Sequence, residues 1–288
     1  MLLYNYKIPK EWISLMKTLY ISDLDGTLLN PNAELTKRTT SIINDLTSQG
    51  VLFTVATARS IASVKYILKD LNLTLPIVLM NGVCVYDLTK HEYINVECLS
   101  KDNSKTLIDI IEKNKLKGFL YTLADGKLAT YYEDLSNRAL KDFYQERVDK
   151  FKKPFTQVEN FSECIDEPII YFTLMDYKEN LEELNQIVEK LPNINSVFYK
   201  DNYAKNMWYL EIFSENASKY HAVKFLRDYL MLDKIIGFGD NQNDMALFDA
   251  CDNSYAVGNA IKDLKLKADN VIGTNTEDGV ALWLEKNA

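Results

Sequence analysis

KTLYISDLDGT, Lys17–Thr27, is the stretch whose reading decides the fold. Its first six residues, KTLYIS, are apolar enough for a buried strand, and the strand then runs into Asp23-Leu24-Asp25-Gly26-Thr27. In open parallel sheets, ligands bind at the carboxyl ends of the strands. Side chains two apart on an extended chain point the same way, so Asp23 and Asp25 fall together as the strand frays into a loop. Two such carboxylates repel each other unless a cation or a shared proton intervenes. The hard cation that suits oxygen ligands and phosphate is magnesium. One carboxylate could then attack phosphorus while its neighbour moves a proton. Gly26 lets the backbone turn sharply. The ordinary alternative is a solvated turn, since Asp-Gly is frequent in turns.

Outward from this strand the chain keeps an α/β rhythm. Residues 36–49 show helical spacing through Ile42, Ile43 and Leu46, and Gly50 is a natural stop. Residues 51–56 (VLFTVA) read as a second strand, residues 61–71 as a second helix, and residues 77–80 as a third strand ending at Asn81-Gly82. Near-continuous apolar strands alternating with helices predict a parallel sheet covered on both faces. After Gly82 the texture changes. Residues 83–86 and 93–96 read as short strands, and residues 117–123 and 127–132 flank the hairpin signal Ala124-Asp125-Gly126. Strands at 169–174, 197–199 and 207–213 alternate with helices near 102–114, 134–148 and 178–191. The α/β rhythm returns with a helix at 218–231, a strand at 234–238 and a helix at 243–250. The expected architecture is a Rossmann-like α/β core, residues 17–82 and 215–288, interrupted by an α+β module at 83–214.

Three further polar positions fall at ends of core strands or starts of core helices. Thr57 ends the second strand, Lys219 opens the helix after the insertion, and Asp240 ends a later strand within GFGDNQND, Gly237–Asp244. Together they offer a hydroxyl donor, a positive charge and a second acidic cluster. Phosphoryl transfer asks for little covalent help and much charge neutralisation, and lysine, magnesium and backbone N–H groups at a helix start would supply it. Each position also has an ordinary reading. Thr57 could cap the following helix, Lys219 could be a solvated helix residue, and the Gly-Phe-Gly segment could be half of a dinucleotide loop, except that Gln242 stands where that loop needs its last glycine.

In this order the motifs resemble the haloacid dehalogenase (HAD) superfamily: DLDGT its first motif, Thr57-Ala58-Arg59 its second, Ser218-Lys219 its third and GDNQND its fourth. More narrowly, the chain resembles the Cof-type phosphatases, which carry a large α/β cap between the second and third motifs. Asn81-Gly82-Val83, Val257-Gly258-Asn259-Ala260 and the segment from Asn275 to Val280 resemble that group's other signatures. Ser22, Ala58 and Tyr220 depart from residues common at those places. The resemblance implies Asp23 as nucleophile and magnesium ligand, and Asp25 as general acid and then general base, with its carbonyl on the metal. It implies Asp240 as a further metal ligand, and Asp244 as a residue that orients Lys219 or the metal shell. Thr57 and Lys219 would hold phosphoryl oxygens with backbone N–H groups near Leu24 and Ala58, and Asn243 would contact phosphate. Arg59 and Asn81 would lie near the entrance, and the cap would read the leaving group. The implied substrate is a small phosphorylated metabolite. A phosphomutase of the same superfamily and a non-catalytic regulatory protein on this fold are the alternatives.

The remaining features bound this reading. The chain has 288 residues, 47% hydrophobic and 26% charged, which suits a globular enzyme of one or two domains with a sizeable core. A formal net charge of −8 disfavours nucleic acid and anionic lipid as partners. No apolar run is long enough to span a bilayer, and no feature sets an oligomeric state. Residues 1–16 are expected to be an extension outside the fold. They lack the pattern of a signal peptide, so a cytoplasmic setting is expected, with Cys84, Cys98, Cys164 and Cys251 as reduced, small buried hydrophobes. The two histidines, His91 and His221, are too few and too far apart for a histidine-rich metal site.

Overall fold

A computed structural model describes residues 16–201 and 206–288; the expected extension therefore lies, but for Met16, outside the described residues. The chain opens with β1 (Thr18–Ser22), α1 (Lys37–Ser48), β2 (Leu52–Val55), α2 (Ile61–Ile67) and β3 (Ile77–Leu79), followed by β4 (Cys84–Asp87) and β5 (Glu92–Val96). A middle stretch contributes α3 (Lys101–Lys113), β6 (Gly118–Ala124), β7 (Lys127–Tyr132), α4 (Arg138–Phe151), β8 (Thr156–Gln157), β9 (Ile169–Tyr177), α5 (Lys178–Val188), β10 (Ile194–Lys200) and β11 (Met207–Ser214). The last part comprises α6 (Lys219–Leu230), β12 (Lys234–Gly239), α7 (Met245–Ala250), β13 (Asn253–Ala256), α8 (Lys262–Lys267), β14 (Asn270–Val271) and α9 (Gly279–Asn287).

The core sheet has the order β14-β13-β12-β1-β2 and is parallel throughout, with β3 attached through an Ala56–Val78 bridge. β1 lies between β2 and β12, so the winding reverses on either side of it, and the crevice at that switch point is where open α/β sheets bind ligands. The strands are apolar on both faces, with Leu19, Ile21, Phe53, Val55, Ile235 and Phe238 all buried, as expected of a sheet packed by helices on both sides. The helices start where short polar side chains can cap them: Thr36 accepts the Thr39 N–H at 3.0 Å, and Ser218 accepts the His221 N–H at 3.2 Å.

The middle stretch forms a six-stranded mixed sheet, β10-β11-β9-β6-β7-β8. Its strands alternate sides with period two. On β11, Leu210 and Ile212 pack with the apolar faces of α3 and α5, whereas Tyr209 and Phe213 belong with the core cluster. One face of this sheet is thus an ordinary helix-covered core, and the other is turned toward the α/β part. β4 and β5, read from sequence as the first strands of the insertion, form a three-stranded antiparallel sheet with β3, in which β4 pairs with β3 and β5 with β4. Their alternating pattern specifies a hairpin and says nothing about which sheet receives it. Gly82, at the start of this passage, has φ +99°, and a Cβ there would collide with the Ser218 backbone, so the exit from the first core segment is pressed against the return to the second. α4 begins later than the sequence pattern suggests, because Asp134 bonds the N–H and hydroxyl of Ser136 in a turn and Asn137 provides the cap. Cys84 and Cys164 are buried as expected and Cys251 partly so, but Cys98 is exposed, because it lies in the connection between β5 and α3. Among the described residues no helix is long and apolar enough to cross a membrane.

Candidate active site

Asp23 follows β1 directly, and its N–H bonds the Phe238 carbonyl of β12 at 2.9 Å. Asp240 follows β12 in the same way, so the parallel register brings these carboxylates together across neighbouring strand ends. The turn at Leu24–Leu28 is set by Gly26, at φ +82°, a backbone region that only glycine enters at little cost. A Cβ on Gly26 would run into the Asp240 carboxylate, so the absent side chain leaves room for that group and whatever binds it. Thr27 donates its hydroxyl to Asp240 Oδ1 at 3.0 Å.

Lys219 is buried, with 1% of its surface exposed. The solvated-helix reading therefore fails. Its Nζ donates to Asp23 Oδ1 at 2.6 Å and to Asp244 Oδ1 at 2.7 Å. Asp244 Oδ2 accepts the backbone N–H groups of Asp240 at 2.9 Å and Asn241 at 3.1 Å, so both its oxygens are engaged. Asp23 and Asp240 each keep a second oxygen with no hydrogen-bond partner among the described residues. Oxygens of Asp23, Asp240 and Asp244 lie within 4.8 Å of one another. Three buried carboxylates against one ammonium leave two negative charges uncompensated, and two positive charges supplied through hard oxygen ligands would balance them. The donor set thus fits a divalent cation, held by Asp23 and Asp240 with Asp244 bracing Lys219.

The charge imbalance is visible in the proton affinities. Burial pushes the Asp23 carboxyl up to about 8, with Asp244 and Asp25 adding to the effect and Lys219 opposing it. Burial, and then Asp23 and Asp244, push Asp240 well above the ordinary carboxylate range. In metal-free protein the native state therefore holds protons that the unfolded chain releases near its ordinary value of 3.8. The stabilisation this provides is complete below that value and is lost as pH rises through about 8. Chelated protein should accordingly lose stability steadily between about pH 4 and pH 8, and a divalent cation, which favours the ionised carboxylates, should flatten or reverse the slope. Urea midpoints across that window check this; a chelated protein whose stability is flat or rises would contradict it.

Asp25 points elsewhere. Its carboxylate is held by Arg59 through a two-pronged pair, Nε to Oδ2 at 2.7 Å and Nη2 to Oδ1 at 2.6 Å, the geometry that suits a guanidinium fork. Its carboxylate is not one of the clustered oxygens, and Arg59, expected at the entrance, lines the same cavity while oriented onto Asp25. Thr57 is fully buried. It does not cap α2, whose N-cap is Ser60; its Oγ accepts the Arg59 N–H at 3.1 Å, which leaves the hydroxyl proton free to donate elsewhere. Leu24 is buried at the start of the Asp23–Thr27 turn, and Ala58 lines the cavity. Asn243 donates to Asn81 Oδ1 at 3.1 Å. The C-terminal segments singled out in the sequence brace this turn. Asn259 Nδ2 bonds the Gly26 carbonyl at 2.7 Å and Asn275 Nδ2 the Leu29 carbonyl at 2.8 Å, while Asp278 accepts the hydroxyls of Thr36 and Thr39 at 2.6 and 2.9 Å.

Above the carboxylates lies a cavity of about 1030 Å³, walled on one side by core residues and on the other by the inner face of the six-stranded sheet. Sequence reasoning missed the residues of that second wall. Glu211 is buried on β11, with Asn81 Nδ2 2.6 Å from its Oε2. Asn81 Nδ2 also lies 2.9 Å from the Tyr171 hydroxyl, so core and module meet through one polar cluster. Burial pushes Glu211 up to about 7, with hydrogen bonds from Tyr171, Tyr199 and Asn81 opposing. The available signal was a lone acid in the apolar strand MWYLEIFS, Met207–Ser214.

The haloacid dehalogenase-like hydrolase family matches residues 20–284. A 5-amino-6-(5-phospho-D-ribitylamino)uracil phosphatase of Bacillus subtilis, YwtE, is 27% identical over 287 residues, covering 94% of this chain and 98% of the relative. Among solved structures, a haloacid dehalogenase-like hydrolase from B. subtilis superposes with a TM-score of 0.80 at 23% identity, over 95% of this chain and 100% of that one. A Thermotoga maritima protein of known crystal structure gives a TM-score of 0.75 at 28% identity, over 95% and 98% of the two chains.

Proposed function

Because this chain belongs to the haloacid dehalogenase-like hydrolases, we propose that it is a magnesium-dependent phosphomonoester hydrolase that forms an aspartyl-phosphate on Asp23. The substrates are small phosphorylated metabolites, sugar phosphates or molecules like them. The observation that carries this reading is the arrangement of Asp23: buried at the end of the central strand, with Lys219 2.6 Å from one oxygen and the Asp240 carboxylate beside it. A carboxylate kept out of water and braced on one oxygen is poised to use the other as a nucleophile.

Asp23 attacks phosphorus, the bond from phosphorus to the leaving oxygen breaks, and Asp25, which takes up a proton from solvent once Arg59 releases it, protonates that oxygen. Asp25 then takes a proton from the water that attacks the acyl phosphate, which frees Asp23 and releases inorganic phosphate. Arg59 orients Asp25 and gives it up when the leaving group arrives. Lys219 and Thr57 hold phosphoryl oxygens, with backbone N–H groups near Leu24 and Ala58 and the amide of Asn243, so that the negative charge developing in transfer meets fixed donors. Magnesium, held by Asp23, Asp240 and the Asp25 carbonyl, would neutralise the phosphoryl charge and allow a carboxylate to approach it.

The leaving group occupies the cavity and is read by the module, which also excludes water. The relative named for a phosphorylated ribitylaminouracil supports a substrate built as a phosphorylated small organic molecule, and the cavity has room for a leaving group of that size. A phosphate-release screen over sugar, polyol, nucleotide and cofactor phosphates tests the reading. One or more members should be turned over in magnesium, with inorganic phosphate appearing in step with the alcohol. Release of alcohol without phosphate, or no turnover of any member, would refute it.

A further inference from the structure

The module's wall of the cavity carries a positive group with no carboxylate partner among the described residues. Lys153 is only 5% exposed yet lines the cavity. Its placement follows from how α4 ends. Lys152 takes a left-handed conformation at φ 52°, and the Lys153 N–H bonds the Arg147 carbonyl at 3.0 Å, a helix-terminating turn that sends the chain back over the sheet. The Lys153 ammonium then sits 4.4 Å from the centre of the Tyr121 ring and 5.0 Å from that of Phe155, favourable positions for a cation. Arg147, at the end of the same helix, lines the cavity as well.

Among the described residues no carboxylate pairs with Lys153. Two of the cavity's acids are engaged elsewhere: Glu146 pairs with Arg147 at 2.9 Å, and Glu211 is held by Asn81 and tyrosines. Burial, and then the neighbouring Arg147, push the Lys153 ammonium well below the ordinary lysine value. A buried, unpaired lysine beside an arginine is unfavourable in the empty protein. Aimed into a cavity, it is the kind of perturbed group that marks a binding site.

We propose that Lys153, assisted by Arg147, forms an anion-binding subsite for the leaving group, so that preferred substrates are phosphomonoesters bearing a second anionic group, either a carboxylate or another phosphate. This rests on the phosphatase reading and deepens it. The second anion supplies the counter-charge that no carboxylate gives Lys153 among the described residues, and its contact lies away from the scissile bond, where binding energy is available to orient the reacting end.

Phosphate release from two matched pairs tests this, with para-nitrophenyl phosphate as a reference substrate. Glycerate 3-phosphate against glycerol 3-phosphate isolates a carboxylate, and fructose 1,6-bisphosphate against fructose 6-phosphate isolates a second phosphate. The wild-type protein should favour the more anionic member of at least one pair about tenfold or more in kcat/KM, and the pair that responds identifies the anion. Lys153→Met, which keeps the apolar length, should shrink that ratio about ten- to a hundredfold, the value of one charge-assisted hydrogen bond. Lys153→Arg should preserve part of it. The ligand-free Lys153→Met protein should also unfold at a higher temperature than wild type, because a buried unpaired charge is gone. Equal rates within both pairs, an unchanged ratio in Lys153→Met, or a lower unfolding temperature would overturn the subsite while turnover of para-nitrophenyl phosphate keeps the phosphatase reading intact. No turnover of any of the five compounds overturns both.

Discussion

Asp23→Asn is expected to lower turnover of para-nitrophenyl phosphate by on the order of 10^4 to 10^6-fold, the scale seen when a covalent nucleophile is removed. The change keeps the side chain's size and its bond to Lys219, but the amide cannot attack phosphorus. The fold should survive. Asp23 sits at a strand end rather than inside the sheet, and its backbone bond to Phe238 is untouched by the substitution. Asparagine also removes one of the three carboxylates crowded around Lys219, so the metal-free variant should be no less stable than the parent at pH 8. Steady-state rates together with circular dichroism check both halves. Activity within tenfold of wild type, in a folded variant, would show that Asp23 is not the nucleophile.

Chelation of divalent cations should abolish activity, and magnesium should restore it. The reason is electrostatic. Asp23, Asp240 and Asp244 share one buried region with a single ammonium, and a phosphate dianion would add more negative charge to an already unbalanced site. A loss of at least about 10^3-fold in rate is expected, since removal of even one well-placed donor to a developing charge costs about 10^2 to 10^3. Calcium should restore little. It prefers six to eight oxygens at longer distances than magnesium's near-octahedral set, and an in-line transfer tolerates little displacement of the attacking oxygen. Asp240→Asn should raise the magnesium concentration needed for half-maximal rate, which separates loss of the ion from loss of fold. Full activity in excess chelator would remove the metal from the account.

Much of the core was legible because its chemistry is local in sequence. Asp23 and Asp25 share a strand end, Thr57 and Asp240 follow strands that flank the first, and Lys219 opens a helix. Strand periodicity places such residues near one crevice once the sheet is taken as parallel, with no need to know exact distances. The electrostatic detail was not legible. The resemblance implies that Asp244 orients Lys219 or the metal shell, but nothing in the sequence indicates that its other oxygen takes two backbone N–H groups, or that Arg59 grips Asp25. The insertion resisted more strongly. Tyr171, Lys153 and Glu211 come from β9, the end of α4 and β11, and meet only through non-local antiparallel pairing. Burial patterns show which face of a strand is apolar but not which distant strand lies beside it. Lys153 is the sharpest case. A lysine after a helix normally reads as solvated, and only the left-handed residue before it turns its side chain inward.

The central claim is that the phosphoryl group passes through Asp23, and trapping it there tests that claim most directly. Asp25→Asn, which lacks the group that activates water for the second step, should accumulate the acyl phosphate when mixed with magnesium and para-nitrophenyl phosphate, whose leaving group departs without needing Asp25 as an acid. Borohydride reduction of the acid-quenched protein, digestion and mass spectrometry then locate the modified residue. The account predicts reduction at Asp23 in the peptide spanning Thr18–Leu28, dependent on both substrate and magnesium. Reduction at another carboxylate, or turnover with no trapped adduct in either the wild-type protein or Asp25→Asn, would contradict it.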